Sequence, residues 1–499
     1  MPFFLLFFPL VFFAADRWFL LERGPYFWNA NLDPDYAYLF NGLEIIHRRV
    51  PGHVDHPGTP VQVLNGIVIY VMHFFSCLGR SCLSTDRSVF TDPEFYLHGI
   101  NFVLILMIAA SVYFFGLRVY RVTGNKVRAL TAQFFLLLFP SVLFALPECR
   151  PEPLFLAAAI CLMAILFDER IQGKAGHKSS LSVGALLGFG LATKVVFLPL
   201  VLFAFVFKKR SQVASCLGAL VLSAIFFTLP IITVYPHVFR WFGSVATHTG
   251  IYGGGDVGIP GVVQLWANFV RLTTAEPFFF INLFGLGLIL ISVYSSRLVF
   301  LCVAVAAVQA LITIKHPGGH YLLPSMPVLV LANIKVLEHF GAKETAKKVF
   351  GVLLLVGVLL IGSQLYDWRN WAQRVRKETE HMTTVLANQP CKVVYYQGGM
   401  GKLYALNFGN WFTTALGAYN YSWILREEFP QGLTVEEPDV TFFSAKLGKE
   451  PLQKMISGEN CMVINGRKIL PEQEKSFGRF HLKPVETGEF FGIYRVGEF

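Results

Sequence analysis

The chain is 499 residues long, 54% hydrophobic and 15% aromatic, with 49 Phe and only 15% charged residues, and its mean hydropathy is +0.53. No soluble domain covers that much apolar side chain, so composition excludes a water-soluble enzyme and requires a polytopic protein of the lipid bilayer. The formal charge of +10 then reads as cytoplasmic Lys and Arg and not as a nucleic-acid surface, because basic residues collect in the inner loops of membrane proteins.

Apolar runs fall at roughly 1–21, 60–78, 98–117, 127–147, 154–167, 181–207, 213–235, 277–294, 298–314, 321–337 and 349–366, most near the ~20 residues a spanning helix needs. The first lacks the basic flank and small-residue cleavage site of a secretion signal and is expected to be a retained span. Clusters at Arg118, Arg121, Lys126 and Arg128, at Arg170, Lys174 and Lys178, at Lys208 to Arg210, and at Lys343, Lys347 and Lys348 mark inner loops.

Two runs must then deviate from simple spans. The 60–78 run carries Gln62, Asn65 and His73 and is expected to lie on or dip into the outer face. The 181–207 run has basic flanks at both ends, so it is expected to be two short helices meeting near Thr193 on the outer side, a break tolerated where it lines a protein cavity. Counted this way, about eleven crossings lead from a cytoplasmic N-terminus to an outer C-terminal domain. Residues 22–97, Pro147 to Pro153, Lys194, the loop 236–276, Lys315 to His320 and the tail all fall on one face.

Asp33-Pro34 predicts a helix start, an N-cap acid followed by proline at the first helical position. Tyr36, Leu39, Phe40, Leu43, Ile46 and Val50 would line one face of an amphipathic, interfacial helix. Capping alone accounts for Asp33, yet a carboxylate held at a helix start is also how a general base is made, and Asp35 supplies a second acid. Asp55-His56-Pro57-Gly58-Thr59-Pro60 is either a turn and cap or a loop that shapes a sugar site. Glu148, Arg150 and Glu152 are charges at membrane depth, which mark a site or a structural pair. Lys194 has no acidic neighbour in sequence, so it either snorkels to the interface or serves an anionic ligand such as a phosphate. Lys315-His316-Pro317-Gly318-Gly319-His320-Tyr321 puts basic residues outside, against the usual bias, which favours phosphate binding over a plain turn.

In this order the residues resemble the integral-membrane glycosyltransferases of the C-type fold, in particular bacterial relatives of the protein O-mannosyltransferases and of the lipid A aminoarabinose transferase. The resemblance covers roughly residues 1–366. It rests on Asp33 to Tyr36 after the first span, His56-Pro57, Arg150-Pro151-Glu152-Pro153, Thr193-Lys194 within a glycine-containing segment, and Tyr321-Leu322-Leu323-Pro324 with Pro327. It implies a mainly α transmembrane domain over 1–366 and an inverting enzyme. That enzyme would move a hexosyl or pentosyl group from a polyprenyl-phosphate donor to a membrane-associated lipid, glycan or protein acceptor, outside a bacterial inner membrane.

By the same resemblance Asp33 is the general base, Glu152 orients substrate hydroxyls, and Arg150, Lys194, Lys315, His320 and Tyr321 hold the donor phosphate, with Tyr36 and His56 at the substrate. Glu152 stands where many relatives have Asp, and Asp-Pro-Asp where they often have Asp-Glu, so the choice between Asp33 and Asp35 stays open. No cofactor is expected, since the nearest relatives work without metal, although Asp33, Asp35 and Glu152 are the oxygen ligands that Mg or Mn takes.

The tail, 367–499, reads as a small soluble α/β domain with a helix over 368–388 and strands at Lys392 to Tyr396, Val440 to Phe443 and Gly492 to Val496. Gly398-Gly399-Met400-Gly401 lacks the lysine and hydroxyl of a phosphate loop and reads as a turn. Cys77 with Cys82, and Cys391 with Cys461, could each form a disulfide on an oxidising face. A flippase or transporter of lipid-linked sugars, and a non-catalytic sugar-lipid binding subunit, are the alternatives. The first would predict internal repeats, and none is evident.

Overall fold

The computed structural model describes residues 2–28, 35–55, 57–78, 82–168, 177–250, 253–292, 296–340, 344–396, 401–414, 419–428, 433–437, 440–441, 460–465 and 480–498. Asp33 and His56 lie outside the described residues. The chain divides into two compact units: one gathers Met1–Phe19, Val54–Val61 and Asn101–Tyr366, the other Leu20–His53, Gln62–Ile100 and Asp367–Phe499.

Among the described residues seven helices are long and apolar enough to cross a membrane, or eight if Val262–Ala275 and Pro277–Ile291, bent by 100° at their junction, form one span. The eleven expected crossings are not matched one for one, because several apolar runs are interrupted. The 127–147 run splits into Lys126–Leu136 and Pro140–Phe144, and the proline that starts the second piece cannot continue the first helix's hydrogen bonding. The 60–78 run, expected on the outer face, forms one unbroken helix, Thr59–Ser76, that is among the seven.

The 181–207 run breaks where its flanks require. Helix His177–Thr193 ends, Lys194 is extended (φ −161°, ψ 135°), and a 3-10 helix runs over Val195–Val206 with Pro199 inside it. Lys194 makes an isolated antiparallel bridge to Pro57. Gly184 and Gly188 let His177–Thr193 approach Arg210–Phe227 closely. A Cβ would fall 2.1 Å from the Cys216 carbonyl at the first and 2.2 Å from the Leu220 carbonyl at the second, the small-residue contact by which membrane helices associate.

In the second unit, Asp35–Ile46 corrects the expectation of an amphipathic interfacial helix. Every residue from Asp35 to Glu44 is buried, because helix Lys402–Thr414 packs against it and Phe40 stacks on Phe90 with centroids 4.5 Å apart. Among the described residues a six-stranded sheet has the order β3-β2-β1-β4-β6-β5, where β1 is Lys392–Tyr396, β2 Leu433–Glu437, β3 Val440–Thr441, β4 Asn460–Asn465, β5 Phe480–Thr487 and β6 Phe491–Glu498. β1 is parallel to β2 and β4, and the remaining pairs are antiparallel.

The expected strand at Lys392 to Tyr396 is β1, Gly492 to Val496 lies within β6, and Phe442-Phe443 lie outside the described residues. Strand β5 escapes sequence patterning because it carries His481, Lys483 and Pro484, and proline is tolerated there because β5 is an edge strand. Met382, Val463, Phe491 and Ile493 form the core under the sheet. Met382 belongs to Glu344–Ala387, a single 44-residue helix that joins the expected last apolar run to the expected 368–388 helix without interruption. Cys77–Cys82 and Cys391–Cys461 are both disulfides.

Candidate active site

In the first unit, helix Pro151–Leu166 starts with Pro-Glu-Pro, which places Glu152 in its first turn, where the helix dipole favours an anion. Glu152 is 1% exposed. Its Oε1 accepts from Lys194 Nζ at 2.5 Å, and Arg150 Nε lies 3.5 Å from Oε2. Arg150 also pairs with Glu148. Lys194 is therefore not the isolated cation that its local sequence suggests; its partner lies 42 residues earlier. The Lys194 ammonium is 5.4 Å from the centroid of the Tyr321 ring, and the His320 and Tyr321 rings pack with centroids 4.0 Å apart. Of the expected site residues, Arg150, Glu152, Lys194, His320 and Tyr321 thus share one cluster.

Beside the cluster lies a cavity of about 170 Å³, lined by Lys194, Tyr321 and the apolar Val195, Val196, Leu198, Pro199, Trp241, Val245 and Ile312, with Gln309, Thr313 and His316 as its other polar groups. The helix break explains this lining. An extended Lys194 next to a 3-10 segment presents one cation at the edge of an otherwise greasy wall. The presumed 236–276 loop is mostly two helices, Tyr235–Thr247 and Val262–Ala275.

Lys315 commits its ammonium to the last carbonyls of the first of these, Val245 O at 2.6 Å and Ala246 O at 3.0 Å, satisfying a helix C-terminus. Burial and the adjacent Lys315 charge hold His316 below the ordinary histidine pKa, so its imidazole is neutral. Neither Gln309 nor Trp241 stood out in the sequence. Gln309 had one usable signal, a lone amide within the 298–314 apolar run.

In the second unit, Asp35 is 5% exposed and pairs with Arg23 Nη2 at 2.9 Å, while the Arg23 guanidinium sits 4.7 Å over the Tyr26 ring. The Tyr36 hydroxyl donates to Glu94 Oε1 at 2.8 Å, and the Tyr26 amide donates to Oε2 at 3.0 Å. Burial and the Glu94 charge push the Tyr36 phenol well above its ordinary pKa, so it keeps the proton that it donates to Glu94. Arg23 and Glu94 went unnoticed in the sequence because each sits at the end of an apolar run, where a charge looks like a membrane boundary. Asp35 and Glu152 are both neutralised by cations of this chain.

Apolar helices with charged groups buried among them and a small C-terminal sheet define an integral membrane protein. No family model and no curated protein matches the sequence. A crystal structure of ArnT from Cupriavidus metallidurans bound to undecaprenyl phosphate is similar to this chain with a TM-score of 0.54 at 11% identity, covering 99% of this chain and 98% of that one. The chain has the fold of that structure, in line with the resemblance that the sequence motifs suggest.

Proposed function

We propose that the protein is an inverting glycosyltransferase that moves a sugar from a polyprenyl-phosphate donor to a membrane-associated acceptor on the extracytoplasmic face. The observation that carries this reading is the cavity at the helix break, with Lys194 and Tyr321 at one end and Val195, Val196, Leu198 and Pro199 along the wall. A lipid phosphate has the complementary chemistry, an anion for the cation and a hydrocarbon chain for the wall. The ArnT structure of the same fold holds undecaprenyl phosphate, which supports the same class of ligand here.

In the proposed reaction the Asp33 carboxylate takes the acceptor hydroxyl proton as the hydroxyl oxygen attacks the anomeric carbon. The bond from that carbon to the phosphate oxygen breaks, and the carrier phosphate leaves with the electron pair. The leaving group needs its charge held more than it needs a proton, a task for Lys194, Arg150 and the His320-Tyr321 pair. Lys194 can turn from Glu152 toward the phosphate as the leaving charge develops, while Glu152 orients hydroxyls. Lys315 supports the cavity wall, and His56 and Tyr36 belong to the substrate side. No cofactor enters this scheme.

An outer tail agrees with the Cys391–Cys461 disulfide there, where thiols oxidise. The test is transfer by the purified protein from radiolabelled lipid-linked sugars, across a panel of sugars on undecaprenyl phosphate. Transfer from at least one donor is expected. Binding or translocation of such lipids without transfer to any acceptor would favour a transporter or a binding subunit.

A further inference from the structure

Gln309 is 1% exposed within the apolar helix Arg297–Lys315 and lines the Lys194 cavity. Its Nε2 donates to the Tyr321 carbonyl at 2.7 Å. A carbonyl can only accept, so this bond fixes the sense of the amide and leaves Oε1 as the other atom. Among the described residues Oε1 has no hydrogen-bond partner. Two helical turns further on, His316 lines the same cavity, and both of its ring nitrogens are buried without a completed hydrogen bond among the described residues. The Val245 carbonyl, which accepts from Lys315, also lies beside the His316 ring and can engage only one of its two nitrogens, so at least one ring nitrogen remains for another partner.

Buried polar atoms left unpaired are costly, so each is satisfied either by a bound water or by a group of a ligand that enters the cavity. The hydrocarbon chain of a lipid offers none. An ionised phosphate offers only acceptors, and Gln309 Oε1, itself an acceptor, cannot bond to it. A sugar hydroxyl donates and accepts at once and matches both residues.

We propose that Gln309 Oε1 accepts a hydrogen bond from a hydroxyl of the donor's sugar and that His316 bonds a second hydroxyl, so this end of the cavity holds the glycosyl group beside the Lys194 phosphate site. The proposal rests on the lipid-phosphate donor reading and deepens it by separating sugar recognition from phosphate recognition.

The test uses the full-length protein in nanodiscs and measures the affinity of undecaprenyl phosphate alone and of the same carrier bearing glucose, mannose or arabinose. Wild type is expected to bind at least one sugar-bearing carrier more tightly than the bare phosphate. In His316→Phe and Gln309→Met that carrier weakens about tenfold, the worth of a lost hydrogen bond, while the bare phosphate binds as before. Lys194→Met weakens both. Equal weakening of both lipids in the Gln309 and His316 variants, or no change in either, overturns the sugar assignment and leaves packing or bound water as the role of these groups. If wild type binds none of the lipids, the donor reading itself fails and this proposal falls with it.

Discussion

Glu152 and Lys194 form a buried ion pair at 2.5 Å, with side chains 2% and 7% exposed. Glu152 stands at a helix start, and Lys194 stands where another helix breaks. Each position is awkward for a charge alone, and the pairing explains how both are tolerated.

Removing one member strands the other. Glu152→Ala should cost about 3–5 kcal/mol and abolish transfer. Glu152→Leu combined with Lys194→Met should recover most of that stability and none of the activity. Thermal unfolding in detergent together with donor transfer checks both arms. A double variant as unstable as the single one would contradict the account of the pair as a stranded-charge problem.

The two acids of the Asp-Pro-Asp motif should separate by phenotype. Asp33→Asn is expected to lower transfer at least about 100-fold, the usual worth of a general base, with melting unchanged. Asp35→Asn loses the ionic partner of Arg23 and should lower the melting temperature. Were Asp35→Asn instead to silence transfer while leaving melting intact, the base would be Asp35.

Glu44 gives the second unit a pH dependence. It is fully buried, and burial raises its carboxyl above the ordinary range although the Tyr421 hydroxyl donates to it at 2.7 Å and Arg49 lies 3.8 Å away. The folded state therefore holds this proton more tightly than the unfolded chain. The resulting stabilisation is complete below the unfolded carboxylate pKa and disappears as pH rises through the raised folded value. Glu44→Gln should melt with wild type at acid pH and above it at neutral pH. Parallel melting curves across pH for the two proteins would refute this.

Gly184 and Gly188 carry no chemistry but set a helix spacing. Gly188→Val should push helix Arg210–Phe227 away, because its Cβ would meet the Leu220 carbonyl at 2.2 Å. Gly218, with nothing within reach of a Cβ, should accept Ala without loss. Melting temperature and monodispersity in detergent distinguish these outcomes. Equal tolerance at both sites would argue against close backbone packing there.

The sequence by itself determined the membrane class, the helix break at Thr193-Lys194 and the α/β character of the tail. These rest on signals local to the chain: mean hydropathy, basic flanks that cannot both face outward, and β-branched and aromatic runs bounded by turns. Partner choice was decided only by the tertiary structure. Lys194 reads as unpaired because Glu152 is 42 residues distant, and Asp35 reads as a free acid because Arg23 appears only as the end of a span. The helix Asp35–Ile46 has a plausible solvent face until Lys402–Thr414, from the far end of the chain, covers it. Gln309 becomes notable only when Tyr321 fixes its amide and leaves Oε1 without a partner among the described residues. Burial and ion pairing depend on contacts between residues remote in sequence, so no local pattern encodes them.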